Sequence, residues 1–206
     1  MRLHYAPGAC SLGIHVLLEE IGRPFETARV NLREGEQYKP PFVDLNPKSK
    51  VPTLVLDDGA VLTEFPAIAY YLARSNPQKH LLPDDPETAA RSLETMDYAV
   101  ATLHMQGFGR MFRPENFSPD SKDHDAVKAR GREIMARGLE LLEKKIGSRD
   151  YIAGDFSVAD AALFYVEYWA AARMGMTLPP RIAAHYARMQ ARPAVQRAMK
   201  FEGIST

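Results

Sequence analysis

The one cysteine of the 206-residue chain, Cys10, stands where a short strand turns into an amphipathic helix. Leu3 and Tyr5 alternate with His4 as in a strand, and Pro7 and Gly8 break the run. Ile14, Leu17, Leu18 and Ile21 then follow the i, i+3, i+4, i+7 spacing of a helix. Cys10 therefore falls in or just before the first helical turn, where unpaired N–H groups and the positive end of the helix dipole favour a thiolate. A free thiol titrates near ~8.5, and such a position lowers that by about one to several units, each worth about 1.4 kcal/mol. The alternative is a small buried hydrophobe, because unpaired cysteine is among the most buried residue types. No C-x-x-C pair supplies a resolving thiol, which argues against a dithiol mechanism.

Composition narrows the setting of that thiol. Lys plus Arg and Asp plus Glu both number 26, and the balance holds on either side of residue 80. Neither half is a polyelectrolyte, so bulk binding to nucleic acid or to an acidic membrane is disfavoured. One cysteine cannot form an internal disulfide, and the first twenty residues include Arg2, His4, His15, Glu19 and Glu20 rather than an apolar signal core. A reducing cytoplasm is the expected compartment. No apolar run approaches the ~20 residues of a membrane span, and the length suffices for one large or two modest domains without metal or disulfide staples.

Two halves differ in character. After the Cys10 helix, residues 25–32 alternate like a strand and a polar loop follows through residues 33–39. Residues 51–63 read as a hairpin turning at Asp58-Gly59. Its second strand feeds a helix whose face carries Ile68, Tyr71 and Leu72, so the order is β-α-β-loop-β-β-α. Residues 76–86 hold three prolines without periodicity and read as a linker. Beyond it Leu93, Met96, Val100, Leu103 and Gly107 form a helical seam. Ile134, Gly138, Leu141 and Leu142 mark a second helix; Val158, Ala161, Ala162, Tyr165 and Trp169 mark a third, apolar on all sides and therefore central. Shorter helices are expected over 180–191 and 194–201. Ser157 and Asp160 form a capping box at the start of the third helix, with Phe156 as its staple, a feature that speaks to folding.

The strand-turn-Cys-helix opening, the Val51-Pro52 before a hairpin, the acidic Glu64 at the next helix start and the Ser157/Asp160 box together resemble the cytosolic glutathione transferases. The Tyr-Ala-Pro-Gly-Ala-Cys-Ser-Leu run of residues 5–12 is most similar to the bacterial beta class. The resemblance covers essentially the whole chain. It implies a thioredoxin-like α/β amino-terminal domain over 1–78 that binds glutathione, an all-helical carboxy-terminal domain over 87–206 that supplies much of the second-substrate pocket, and a homodimer. It also implies glutathione as co-substrate, no metal, and neither nucleic acid nor membrane as partner. Cys10 matches the thiol that faces the glutathione sulfur, and His104 a histidine beside it. Val51-Pro52 matches a Val-Pro with a cis proline, leaving the N–H and C=O of Val51 to pair with the tripeptide backbone. Glu64 and Phe65 occupy the helix start that takes the γ-glutamyl group. Asp97, seven residues before His104, stands where the family often has Asn. Tyr5 is a pocket wall, and Phe108, Phe112 and Tyr168 line the space for an apolar electrophile.

Bland readings stand beside these. Val51-Pro52 serves equally as a strand-entry proline, Glu64 as a helix-dipole residue and His104 as a satisfied interior histidine. Three departures from the family pattern bear on affinity. Phe65 replaces a small residue and adds bulk, Gly35 stands where many members have Lys, and the Asp97 charge would repel a carboxylate yet attract the γ-glutamyl amine. The expected chemistry is conjugation of glutathione to a small apolar electrophile, with thiol transfer through a mixed disulfide at Cys10 as a competing outcome. The alternative is a non-catalytic ligand-binding protein with a degraded glutathione site, motivated by Phe65. A helical-domain scaffold is a third class that no residue favours.

Overall fold

The computed structural model describes residues 1–204. In chain order the elements are β1 (Arg2–Tyr5), α1 (Ser11–Ile21), β2 (Glu26–Arg29), α2 (Phe42–Leu45), β3 (Thr53–Val55), β4 (Val61–Thr63), α3 (Phe65–Arg74), α4 (Pro86–Asp97), α5 (Gly109–Phe112), α6 (His124–Ile146), α7 (Val158–Tyr168), α8 (Pro180–Ala191) and α9 (Pro193–Glu202). They form two compact units. One comprises residues 1–82 and those from 188 on, the other residues 83–187. The division read from the sequence, at residues 78 and 87, follows connectivity and leaves the last helix with the helical half. The observed grouping differs because α9 packs along α1.

In the first unit the sheet order is β2-β1-β3-β4, with β1 parallel to β2 and antiparallel to β3, and β3 antiparallel to β4. The expected hairpin is present, its turn closed by Leu56 N–H to Ala60 O at 2.8 Å and Gly59 N–H to Leu56 O at 3.0 Å. Leu3 and Leu54 are cross-strand partners, both buried, as are Ile14, Leu17 and Leu18 of α1 and Ile68 and Leu72 of α3. Apolar area removed from water, at roughly 25 cal/mol per Å², is what holds these layers. A second cluster of Ala6, Val30, Phe42 and Val51 includes α2. The sequence reading passed over α2 because four residues are too few to show a period.

The second unit is helical apart from two isolated bridges at residues 151–155. Every residue of α7 is buried, as its all-round apolar character predicts. Of the expected seam, Met96, Leu103 and Gly107 are buried and Leu93 is half-buried. Beyond α4 the chain continues in π-helical winding over Tyr98–Phe108, and the buried residues there are Ala99, Leu103, Gly107 and Phe108, with Val100 half-buried. Wider i→i+5 winding breaks a 3.6-residue register, and such segments recur at functional sites. On α6 the buried face is Gly131, Met135, Gly138, Leu139, Leu142 and Ile146, whereas Leu141 is exposed. Glycine at 138 permits this packing, because a Cβ there would lie 2.1 Å from Leu103 Cδ2.

The capping box of Ser157 and Asp160 is formed. Asp160 Oδ2 accepts from Ser157 N–H at 2.8 Å, and Oδ1 accepts from Ile152 N–H at 2.8 Å. That same Oδ1 lies 3.1 Å from His185 Nε2, and His185 Nδ1 lies 2.8 Å from Glu167 Oε1. All three side chains are inaccessible to solvent. Burial by itself would lower His185, but the Glu167 and Asp160 carboxylates overcome it and push the imidazole up to about 10. Asp160 thus does more than cap α7: it belongs to an interior ionic group joining α7 to α8.

Candidate active site

Cys10 is held where its spacing predicted, directly before α1. β1 ends at Tyr5, and the following turn is closed by Ala9 N–H to Ala6 O at 3.0 Å. Ser11 Oγ accepts from Ala6 N–H at 3.2 Å. Gly8, at φ +64°, adopts the left-handed backbone that glycine takes without cost, and its N–H donates to Glu202 Oε2 at 2.7 Å. Cys10 itself has helical angles, is half-buried, and donates its thiol hydrogen to Val51 O at 3.3 Å.

The protonation state departs from expectation. Burial pushes the Cys10 thiol up to about 12, against the backbone N–H groups of Cys10 and Ser11 and the charge of Lys50, which pull it down. The helix terminus acts in the predicted direction, but desolvation of a thiolate outweighs it. Cys10 is therefore a protonated donor in this structure, not a resident thiolate.

Val51-Pro52 is cis, as the resemblance implies. The expectation that both polar groups of Val51 stand open is corrected for the carbonyl, which the thiol occupies. The segment before it is braced by Asn46, a buried amide that donates to Lys50 O at 2.8 Å and Thr53 Oγ1 at 2.9 Å. Glu64 immediately precedes α3 at φ +71° and ψ +124°, an unusual backbone for a side-chain-bearing residue. Such conformations cost about 1–3 kcal/mol and collect at ligand sites. The exposed Glu64 carboxylate accepts from Lys48 Nζ at 2.7 Å. Phe65 is 4% exposed. Its ring lies in the core of the unit, so the bulk expected of it at the helix start is absent, and Pro66 removes one N–H from the first turn. Tyr5 is also buried, its ring 5.9 Å from His15 and 6.0 Å from Phe201. Burial, then the charge of Glu202, raises its hydroxyl.

In the second unit three of the expected residues, His104, Phe108 and Phe112, gather on Trp169, and Tyr168 and Asp97 are not among them. His104 is half-buried, its ring centroid 4.8 Å from Trp169 and its Nδ1 3.3 Å from the Tyr165 hydroxyl. Phe108 is fully buried, 5.1 Å from Trp169 and stacked on exposed Phe112 at 5.5 Å. Tyr168 is buried beneath the Arg173 guanidinium, 5.4 Å from its ring centre. Asp97 is exposed, whereas His104 is half-buried, and the π winding between them departs from the α-helical register by which seven residues share a face. The arrangement is an apolar aromatic group with one imidazole and one phenol among it. Among the described residues no His, Cys, Asp and Glu group is disposed to hold a metal, and no helix is long and apolar enough to cross a membrane.

Sequence reasoning passed over Trp169 and Tyr165 as site residues because they also satisfy a core pattern. It passed over Asn46, whose Asn-Pro step is an ordinary turn signal, and Glu202. The last was readable: Val195, Ala198 and Met199 set an apolar face, and Glu202 completes its i, i+3, i+4, i+7 spacing with a carboxylate.

Known proteins bear on this geometry. The family model for the glutathione S-transferase N-terminal domain matches residues 8–75, and that for the glutathione S-transferase C-terminal domain matches residues 125–188. The chain is 37% identical to glutathione S-transferase GstA of Escherichia coli O157:H7, covering 99% of this chain and all of the relative. A glutathione transferase homolog from Sulfitobacter, solved with bound glutathione, superposes with a TM-score of 0.91 at 32% identity over 99% of this chain and 98% of that one. A beta-class glutathione S-transferase of Sphingomonas chungbukensis gives a TM-score of 0.86 at 32% identity, with both chains covered completely.

Proposed function

The chain belongs to the glutathione S-transferase family, and on that premise we propose that it conjugates glutathione to small apolar electrophiles. The observation that carries this reading is the protonated Cys10 thiol directed at Val51 O, before α1 and next to the cis proline. Paired with the backbone of Val51, the tripeptide takes over the carbonyl as an extended strand would. The displaced Cys10 S–H then donates to the glutathione sulfur, whose own proton passes to water. The stabilised thiolate bonds to the electrophilic carbon as the leaving group, chloride for a chlorinated nitroarene, departs. The start of α3, with Glu64 and the Phe65 N–H, is assigned the γ-glutamyl group. Phe108, Phe112 and Tyr168 are assigned the electrophile. The parts of His104 beside the sulfur, of Asp97 at the γ-glutamyl amine and of Tyr5 as a pocket wall rest on the resemblance, as do the homodimer and the cytoplasmic location.

Thiol transfer is the second reading, in which Cys10 attacks a glutathione disulfide and expels one glutathione thiolate, leaving a mixed disulfide on the protein. A thiol pushed up to about 12 is a poor attacking group at neutral pH, and this favours conjugation. The non-catalytic alternative loses its motive once Phe65 is seen in the core. The test is turnover of a chlorinated nitroarene with glutathione, beside intact-mass measurement after exposure to glutathione disulfide. Conjugation predicts turnover, retention on immobilised glutathione and little adduct, with turnover reduced in Cys10→Ala. A dominant adduct on Cys10 shifts the assignment to thiol transfer. Neither turnover, adduct nor retention overturns both.

A further inference from the structure

We propose that Glu202, acting with His15, is a positioning residue for Cys10; the idea rests on placing the glutathione sulfur site at that cysteine. Glu202 ends α9 and lies 194 residues along the chain from Gly8, yet its carboxylate accepts the Gly8 N–H at 2.7 Å. Its other oxygen lies 2.9 Å from His15 Nδ1. With Nδ1 as the donating nitrogen, the two carboxylate oxygens each accept one N–H. Gly8 lies two residues before Cys10, and His15 lies on α1, the helix that Cys10 begins. One buried carboxylate therefore grips the chain on both sides of the thiol.

The surroundings hold that grip in one orientation. The His15 ring meets Phe25 edge-on at 5.7 Å and Phe201 at 5.3 Å, and Tyr5 packs at 5.9 Å. Both polar side chains are sealed from water, at 1% exposure for His15 and 0% for Glu202. Beside the Gly8 bond, the cysteine loop is tied by Ser11 Oγ to Ala6 N–H, by Ala9 N–H to Ala6 O and by Cys10 Sγ to Val51 O. The first two are local and the third is the reacting group itself, whereas Glu202 ties the loop to α9, far along the chain.

Docking α9 on α1 does not by itself call for a charge. Val195, Ala198 and Met199 are buried on the same face, and apolar residues in place of a buried polar pair are frequently no worse for stability. What the carboxylate adds is direction. It meets a glycine N–H and an imidazole N–H at once, and so sets the path by which the loop delivers the sulfur to Val51 O.

The test is iodoacetamide alkylation of Cys10 against pH in the full-length native protein, together with kcat and KM for glutathione. Glu202→Gln keeps the size but turns an NH2 toward one of two N–H donors. The looser loop lets the sulfur into water, so the alkylation profile moves to lower pH, the rate at pH 8 rises about tenfold, and KM rises more than kcat falls. Glu202→Asp, which keeps the charge on a shorter arm, restores part of the shift and carries the test if the Gln variant does not fold. Val195→Ala, a change in the same helix without a polar role, leaves the profile in place. A Glu202→Gln profile that matches wild type, or moves no further than Val195→Ala, overturns the proposal. A shifted profile in a protein whose wild type neither binds nor turns over glutathione upholds the positioning of Cys10 and sinks the glutathione reading instead.

Discussion

The two units place their polar groups in opposite ways. In the first, the proposed site residues stand at breaks in the backbone: Cys10 before α1, the cis Val51-Pro52 before β3, and Glu64 at positive φ before α3. In the second, Asp160, His185 and Glu167 lie inside continuous helices and satisfy one another. An element end leaves N–H and C=O groups without regular partners, and those groups can turn toward a ligand. A helix interior offers no such groups, so a charge there must find another side chain. The same desolvation that keeps Cys10 protonated is overcome at His185, because two carboxylates stand beside it. Two carboxylates hold the buried His185 protonated, whereas the single imidazole beside Glu167 does not offset burial, which pushes that carboxyl up to about 7.

If this contrast is right, changes in the interior group cost stability and changes at the breaks cost function. Asp160→Ala should remove about 3–5 kcal/mol, measured by urea unfolding, because it orphans two backbone N–H groups and one side of a charged imidazole. Cys10 alkylation in the folded fraction should stay unchanged; a loss under about 1 kcal/mol would break the comparison. Phe65→Ala sharpens it from the other side. A buried ring removed from the core should cost about 3 kcal/mol without tightening glutathione binding by calorimetry.

The pH dependence of unfolding follows from His185. Its folded pKa, near 10, lies above the unfolded value of 6.5, so its contribution is complete below pH 6.5 and is lost as pH rises toward 10. Stability measured by thermal unfolding should fall over that window by up to about 1.4 kcal/mol per pH unit, and His185→Gln should flatten the slope. The smallest effect is expected at the break before α3. Glu64→Gly relieves a positive φ and forfeits only an exposed pair with Lys48, so stability should hold or rise by about 1 kcal/mol. Glutathione KM should rise all the same, and a Glu64→Gly protein with unchanged KM removes that residue from the site.

Much of the fold was legible. The Asp58-Gly59 hairpin, α1 with its Gly22 end, the buried α7 and the α8 and α9 pair all follow from spacing and turn chemistry. So were the positions of Cys10, Val51-Pro52 and Glu64 at element boundaries. The thiol's charge was misjudged because a helix dipole can be read from an element start, whereas the burial opposing it is assembled by segments far along the chain. Phe65 was assigned outward bulk because its position at the helix start is a sequence fact and its direction is not. The burial of Ala99 and Phe108 beside the expected seam was not legible, because nothing in the pattern distinguishes π from α winding.

The sequence by itself determined where the chain turns, which faces are apolar and which residues stand at the ends of elements, because these depend on neighbours a few positions away. Only the tertiary structure decided that Glu202 meets Gly8 and His15, that His185 sits between two carboxylates and that the Cys10 thiol keeps its proton. Desolvation and hydrogen-bond partnership are properties of what remote segments bring together, and no local spacing encodes them.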